Sequence, residues 1–215
     1  MRIVLTDKDL DNSVFPSDVQ VIKITYKTMD AFDHNSDVVA IAGSRAMAIK
    51  AEKMDFHGLK FFQLTSTGFD GVPLEEFKNK GVMVANAGST YSVPIAETVV
   101  LGVLLMAKKL HSNPNNRHVK IQRHYNEIQE LSEKKVMILG AGSIGTEIAK
   151  RLSGFDMTVD GYAKSDRERS YFNRVICGRH ELTEEIGNYD YVISTLPDNE
   201  NTRGFFDKDL IGKMK

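Results

Sequence analysis

Short apolar runs alternate with longer amphipathic segments through most of this chain, and the runs mark where strands are predicted. Over residues 3–5, 19–24, 38–41, 59–64 and 82–85 apolar residues cluster between Asp, Gly, Asn or Pro. None of these runs alternates strictly, the pattern expected of strands covered on both faces of a parallel sheet. Between them, residues 46–56 predict a helix with Ala46, Ile49, Lys53 and Phe56 on one side and Gly58 as its C-cap glycine. Residues 73–79 predict another, with Pro73 in the first turn. Strand–helix alternation of this kind predicts a parallel α/β sheet.

The pattern then changes. Ser92, Val93 and Pro94 open a helix predicted over 95–110, whose apolar face is Ile95, Val99, Gly102, Leu105 and Met106. Lys108 and Lys109 sit near its carboxyl end, where cations suit the helix dipole. A polar stretch, Ser112-Asn113-Pro114-Asn115-Asn116, stops it, and a second helix is expected over 119–128. From Lys134 a fresh series begins, with strands expected over 136–139, 157–161, 174–177 and 191–194. Helices are expected over 144–152, 180–186 and 207–214, the last with Asp207 as N-cap. The fold class expected is therefore α/β, with two Rossmann- or flavodoxin-like units over 1–95 and 96–215. The strand order expected in the second is 3-2-1-4, an incomplete sheet with its 191–194 strand at an edge.

Composition narrows the class. The chain has 215 residues, and 28 Lys and Arg nearly balance 29 Asp and Glu, so a polycationic nucleic-acid binder is not the first reading. A single cysteine, Cys177, rules out an intrachain disulfide and suits a reducing compartment. The longest uninterrupted apolar stretch, 99–107, is far short of a membrane span, and the first residues read straight into a strand. The expectation is a cytoplasmic protein without a membrane or nucleic-acid partner.

The strongest chemical signal is Gly140-Ala141-Gly142-Ser143-Ile144-Gly145, a GxGxxG run between a strand pattern and an amphipathic helix. Gly140 permits the tight turn, Gly142 lets a diphosphate approach the backbone, and Gly145 lets helix and strand pack closely. Free N–H groups at Ser143, Ile144 and their neighbours, with the helix dipole, hold phosphate charge. The bland alternative is an ordinary strand–helix turn. About twenty residues on, NAD binders carry an acid for the ribose 2′-hydroxyl. Here Ala163 takes that place, and Lys164, Ser165 and Arg167 follow. A cation and a hydroxyl there suit a 2′-phosphate, so NADP is preferred over NAD. The alternative is a solvated turn, with Asp160 or Asp166 serving NAD.

Taken in order, these motifs resemble the D-isomer-specific 2-hydroxyacid dehydrogenases, the group of phosphoglycerate dehydrogenase and glyoxylate/hydroxypyruvate reductase. The resemblance covers essentially the whole chain. It rests on Thr67-Gly68-Phe69-Asp70-Gly71-Val72, on Asn86-Ala87-Gly88 through Pro94-Ile95-Ala96-Glu97, and on the glycine turn. Phe155-Asp156-Met157-Thr158-Val159, Tyr191-Val192-Ile193-Ser194-Thr195-Leu196-Pro197 and Asn201-Thr202-Arg203-Gly204 follow. It implies a substrate domain followed by a coenzyme domain, and hydride transfer between NAD(P)H and a small 2-oxo or 2-hydroxy acid. It also implies that Thr67, Gly68 and Phe69 bind the substrate carboxylate. Arg45 lies where a basic side chain assists, or else is a surface arginine beside a helix start. Thr195, Leu196 and Pro197, with Thr202 nearby, would line the adenosine side. The helix 95–110 is the family's dimer contact, so a homodimer is expected.

One departure qualifies this. The family's substrate-orienting arginine and its glutamate–histidine acid/base pair have no counterpart among these residues. Hydride transfer needs a base beside the 2-hydroxyl and a cation on the carbonyl. None of the six histidines, His34, His57, His111, His118, His124 and His180, falls in a catalytic motif of the family. No catalytic residue is therefore assigned. The chain is expected to be a truncated piece that binds dinucleotide but turns over negligibly, with a non-catalytic dinucleotide-binding or regulatory module as the alternative. A short-chain reductase does not fit, because its glycine turn would lie near the amino terminus.

Overall fold

The computed structural model describes residues 1–110, 128–165 and 167–215. The chain divides into two compact units, Met1–Thr90 and Tyr91–Lys215. The expected helix over 119–128, with His111, His118, His124 and Asp166, lies almost wholly or wholly outside the described residues.

In the first unit the five apolar runs become β1 (Arg2–Thr6), β2 (Val19–Lys23), β3 (Val38–Gly43), β4 (Phe61–Leu64) and β5 (Met83–Ala85). They form one parallel sheet in the order β2-β1-β3-β4-β5. Its helices are α1 (Arg45–Lys53) and α2 (Leu74–Asn79), and short 3-10 turns at Asn12–Val14 and Thr28–Phe32, which the sequence pattern does not announce, follow β1 and β2. The core gathers Leu5, Ile41, Met47, Phe62, Leu64 and Phe77, all at 1% exposure or less. Burying one such side chain contributes about 1.5–3 kcal/mol.

Two expectations for α1 are corrected. Its buried face is Met47, Ala48 and Ala51, while Ile49 points outward. A short helix with apolar residues on both sides carries no unique stripe, so the tertiary partner chooses the face. Gly58 is not its C-cap: the helix ends at Met54 in extended backbone. Gly58 is required because a Cβ there would run into the Ser36 carbonyl.

The second unit holds α3 (Ser92–Ala107), β6 (Lys135–Leu139), α4 (Ser143–Ser153), β7 (Thr158–Tyr162), β8 (Arg174–Ile176), α5 (Arg179–Glu185), β9 (Tyr191–Ser194) and α6 (Lys208–Gly212). The sheet is parallel in the order β8-β7-β6-β9, the expected 3-2-1-4 arrangement with β9 at an edge. Alternate residues of β6 serve opposite faces. Val136 and Ile138 join Ile148, Ala149 and Leu152 of α4 and Ala96, Val103 and Ala107 of α3. Met137 and Leu139 join Leu182 of α5 and Leu210 of α6. That is why β6 reads as an unbroken apolar run.

α3 begins three residues before the sequence suggests, with Pro94 inside its first turn. Its buried residues are Ser92, Ala96, Val103 and Ala107, not the expected face, and Ile95 and Met106 are exposed. The helix is apolar almost all round, and the small side chains win the inner face because they let α4 approach. Cys177 lies just past β8 and is only partly buried. Asp207 caps α6 as expected, its carboxylate accepting the Leu210 N–H at 2.8 Å.

Candidate functional site

The chain leaves β6 through Gly140, whose φ of +107° lies in the region that favours glycine. A Cβ there would also sit 2.6 Å from Thr195 Oγ1. A Cβ on Gly145 would strike the Gly140 carbonyl, so helix and turn pack with nothing between them. Gly142 differs. It adopts ordinary extended angles, and a Cβ there would meet nothing within 4 Å. Its absence of a side chain serves no packing partner and leaves the approach to the backbone open.

Gly142 is also the N-cap of α4, and no side chain bonds the first amides of that helix. An α-helix begins with N–H groups that have no partner inside the helix. At α1 and α6 a side chain supplies one, Ser44 accepting from Met47 N–H and Asp207 from Leu210 N–H, whereas α2, α3 and α5, like α4, have no side-chain cap. At α4 the donors are left to whatever occupies the space beyond, together with the positive end of an eleven-residue helix dipole.

A groove of about 320 Å³ opens on this turn. Gly140, Gly142, Lys164, Leu196, Pro197 and Thr202 line it, as the sequence suggests, and so do Ala141, Tyr162, Ala163, Arg169, Asn201 and Phe205. Among the described residues two cations and no acid face it. Tyr162 and Phe205 pack at a tilt, 5.3 Å between ring centroids, and give it an apolar wall. Thr195 is not a wall residue: its Oγ1 donates to the Gly140 carbonyl at 2.8 Å and so holds the turn. Thr202 shapes the neighbouring loop, donating to the carbonyls of Asn199, at 3.1 Å, and Pro197. Ser143, Ile144 and Gly145 are not among its lining residues: Ser143 is exposed at the start of α4, Gly145 is buried and Ile144 packs against the core. Ser165 and Arg167 lie in the loop after β7 and do not line it.

Asp160, the alternative ribose partner, is committed elsewhere. It is 6% exposed in mid-strand. It accepts from Tyr189 Oη at 2.7 Å and from Arg174 Nε at 3.1 Å. Burial and that carboxylate push the Tyr189 phenol up to about 12. No acid stands at Ala163, Lys164 or Ser165, the residues that follow β7.

In the first unit the loops at the carboxyl ends of β4 and β5 are tied together. Thr67 Oγ1 donates to the Gly88 carbonyl at 3.0 Å and Asn86 Nδ2 to the Thr67 carbonyl at 2.7 Å. Arg45, at the carboxyl end of β3, reaches Asp70 Oδ2 at 3.5 Å. Arg45, Thr67, Gly68 and Phe69 therefore share one end of the sheet, with Phe69 exposed. At the opposite end Asp55 Oδ2 meets His34 Nδ1 at 2.9 Å and His57 Nε2 at 3.1 Å, the unit's one histidine–acid cluster among the described residues. No group of three or more His, Cys, Asp or Glu among the described residues is placed to hold a metal ion. No helix among them is long and apolar enough to cross a membrane.

The family model described as "D-isomer specific 2-hydroxyacid dehydrogenase, NAD binding domain" matches residues 99–215, the part that carries the glycine turn and its groove. The chain belongs to the D-isomer specific 2-hydroxyacid dehydrogenase family. Its residues 99–215 are the family's NAD-binding domain. The chain is 28% identical to a formate dehydrogenase of Chaetomium thermophilum over 222 residues, covering 99% of this chain and 56% of that one. It is 26% identical to a glyoxylate/hydroxypyruvate reductase of Arabidopsis thaliana, covering 84% of this chain and 58% of that one. The fold matches that of the NAD-dependent formate dehydrogenase from Staphylococcus aureus in complex with NAD. The TM-score is 0.72 at 20% identity, over 100% of this chain and 71% of that one. The chain spans about half the length of the curated relatives it matches.

Arg169 is the charged member of the groove that sequence reasoning missed. It stands in a loop with no periodicity and outside every motif, and only its spatial return to Ala141 gives it away.

Proposed function

We propose that the protein to which these residues belong transfers hydride between NAD(P)H and a small 2-oxo or 2-hydroxy acid, and that this chain supplies dinucleotide binding. One observation carries the reading. The first and third glycines of the turn are demanded by packing, whereas Gly142 faces open space at an uncapped helix end. When bound, the nicotinamide supplies or accepts the hydride; the residues of this chain bind the coenzyme and orient it.

NADP(H) is the coenzyme we favour. Asp160 is occupied by Tyr189 and Arg174, Lys164 lines the groove, and Ser165 and Arg167 lie in the same loop. The test is fluorescence titration with NADPH and NADH before and after Lys164→Ala and Arg167→Ala. NADPH binding weakens about tenfold, the scale of one charge-assisted phosphate contact, while NADH binding barely moves. Equal affinities before and after both substitutions dispose of the 2′-phosphate argument.

In this reading residues 1–95 are the substrate domain and residues 96–215 the coenzyme domain, close to the compact units Met1–Thr90 and Tyr91–Lys215. Thr67, Gly68 and Phe69 present backbone to a substrate carboxylate, and Arg45 assists by exchanging Asp70 for it. The exposed Ile95, Leu101 and Met106 of α3 make that helix the homodimer contact, and a cytoplasmic setting follows from the lone thiol.

One observation favours a second reading, a dinucleotide-binding module without turnover. The histidine–acid cluster of the first unit lies at the amino ends of its strands, away from Arg45 and Thr67. Measurable NADPH-dependent reduction of glyoxylate or hydroxypyruvate by the purified 215-residue chain eliminates that second reading.

A further inference from the structure

The loop between β7 and β8 folds back over the glycine turn. Asn173 N–H donates to the Val159 carbonyl at 2.8 Å and Phe172 N–H to the Arg169 carbonyl at 3.2 Å. Phe172 lies so close over Gly161 that a Cβ there would meet its ring at 2.8 Å. This fold-back brings Arg169 to a residue 28 positions earlier: its Nη1 donates to the Ala141 carbonyl at 2.7 Å. Its Nε is buried and has no hydrogen-bond partner. No carboxylate among the described residues pairs with it, although the guanidinium lines the groove beside Gly142 and Lys164.

Two consequences follow from elementary geometry and charge. The 141–142 peptide is trans, since the structure has no cis bond, and a trans peptide fixes its N–H antiparallel to its carbonyl. Whatever holds the Ala141 carbonyl therefore also holds the Gly142 amide, the donor at the open position of the turn. Among the described residues this arginine has no anionic partner, and its buried Nε–H is unsatisfied; leaving such a donor unmade is costly. A diphosphate in the groove supplies that partner.

We infer that Arg169 is a positioning residue of the dinucleotide site: by holding the Ala141 carbonyl it fixes the Gly142 amide for the diphosphate bridge, and its own charge adds to the field there. The inference rests on the dinucleotide reading above and deepens it. It assigns Arg169 to the diphosphate shared by NADH and NADPH, not to the 2′-phosphate. A lysine keeps the charge but has no planar fork to hold a carbonyl, so Arg169→Lys restores only part of the function.

The test uses the whole chain with four probes, adenosine, ADP, NADH and NADPH, titrated by protein-observed NMR for wild type, Arg169→Gln and Arg169→Lys. Melting curves of the free variants report folding. Arg169→Gln weakens ADP, NADH and NADPH alike by about tenfold and leaves adenosine unchanged, because only the diphosphate is addressed. Arg169→Lys falls between. Unchanged affinities for all four probes overturn the inference. So does a loss confined to NADPH, which moves Arg169 to the 2′-phosphate, and so does a parallel loss of adenosine, which reduces it to a loop support. Failure of the wild type to bind ADP or either dinucleotide removes the functional reading itself, an outcome separate from all of these.

Discussion

The two parallel sheets part company where their first strands end. After β1 the chain continues Asp7-Lys8-Asp9, and Asp11 caps the next turn with its own carboxylate, accepting the Ser13 N–H at 2.9 Å. After β6 it continues through glycines, and the following helix begins with its amides unclaimed. Both ends carry a depression. The one in the first unit, about 550 Å³, includes Asp7 and Lys23, whereas the groove of the second carries Lys164 and Arg169 and, among the described residues, no acid. One architecture thus presents a mixed-charge depression in one unit and a cationic groove in the other. An acid already occupying a turn's donors excludes phosphate, while a glycine N-cap invites it.

Packing gives the largest lever on that contrast. Gly145→Ala forces a methyl into the Gly140 carbonyl, so the second unit loses about 3 kcal/mol or more and dinucleotide binding with it, as overpacking in a closed core requires. Thermal unfolding and NADPH titration of the same sample check it; the first unit's melting should stay in place. A smaller effect separates the committed Asp160 from a ligand role. Tyr189→Phe removes one hydrogen bond from a buried carboxylate and costs about 1 kcal/mol, with the coenzyme affinities unchanged. A change in the NADPH-to-NADH preference of that variant would return Asp160 to the site.

The smallest effect is a pH dependence that differs in sign. In the first unit the Asp55 hydrogen bond, helped by the charge of Asp33, raises His34 above its ordinary value. Its contribution is therefore complete below about pH 6.5 and fades as pH rises through the elevated value. In the second unit the Lys135 and Leu210 amides hold Asp190 and Asp207 below the usual carboxylate range. Their contribution is present above about pH 4 and fades on further acidification. Melts near pH 3, 6 and 8 should show the first unit alone softening between 6 and 8.

The sheets were legible in the sequence because covered strands are short apolar runs and little else competes with that signal. The helix faces were not. α1 and α3 carry apolar residues on more than one side, so burial of Met47 and Ala48 in place of Ile49, or of Ala96 and Val103 in place of Ile95 and Met106, is decided by the neighbour. The glycine turn was readable because each glycine answers a separate steric demand. Thr195 and Arg169 were not readable in their roles, since both act on the turn from strands and loops far along the chain.

The central claim is that the open position at Gly142 receives a diphosphate, and Gly142→Ala tests it most directly. Its backbone angles suit alanine and the added methyl touches nothing, so the melting temperature of the free chain should not move. NADPH affinity, followed by coenzyme fluorescence on that same variant, should fall about tenfold or more, since the methyl stands where a phosphate oxygen must approach. An unchanged affinity at an unchanged melting temperature would contradict the account.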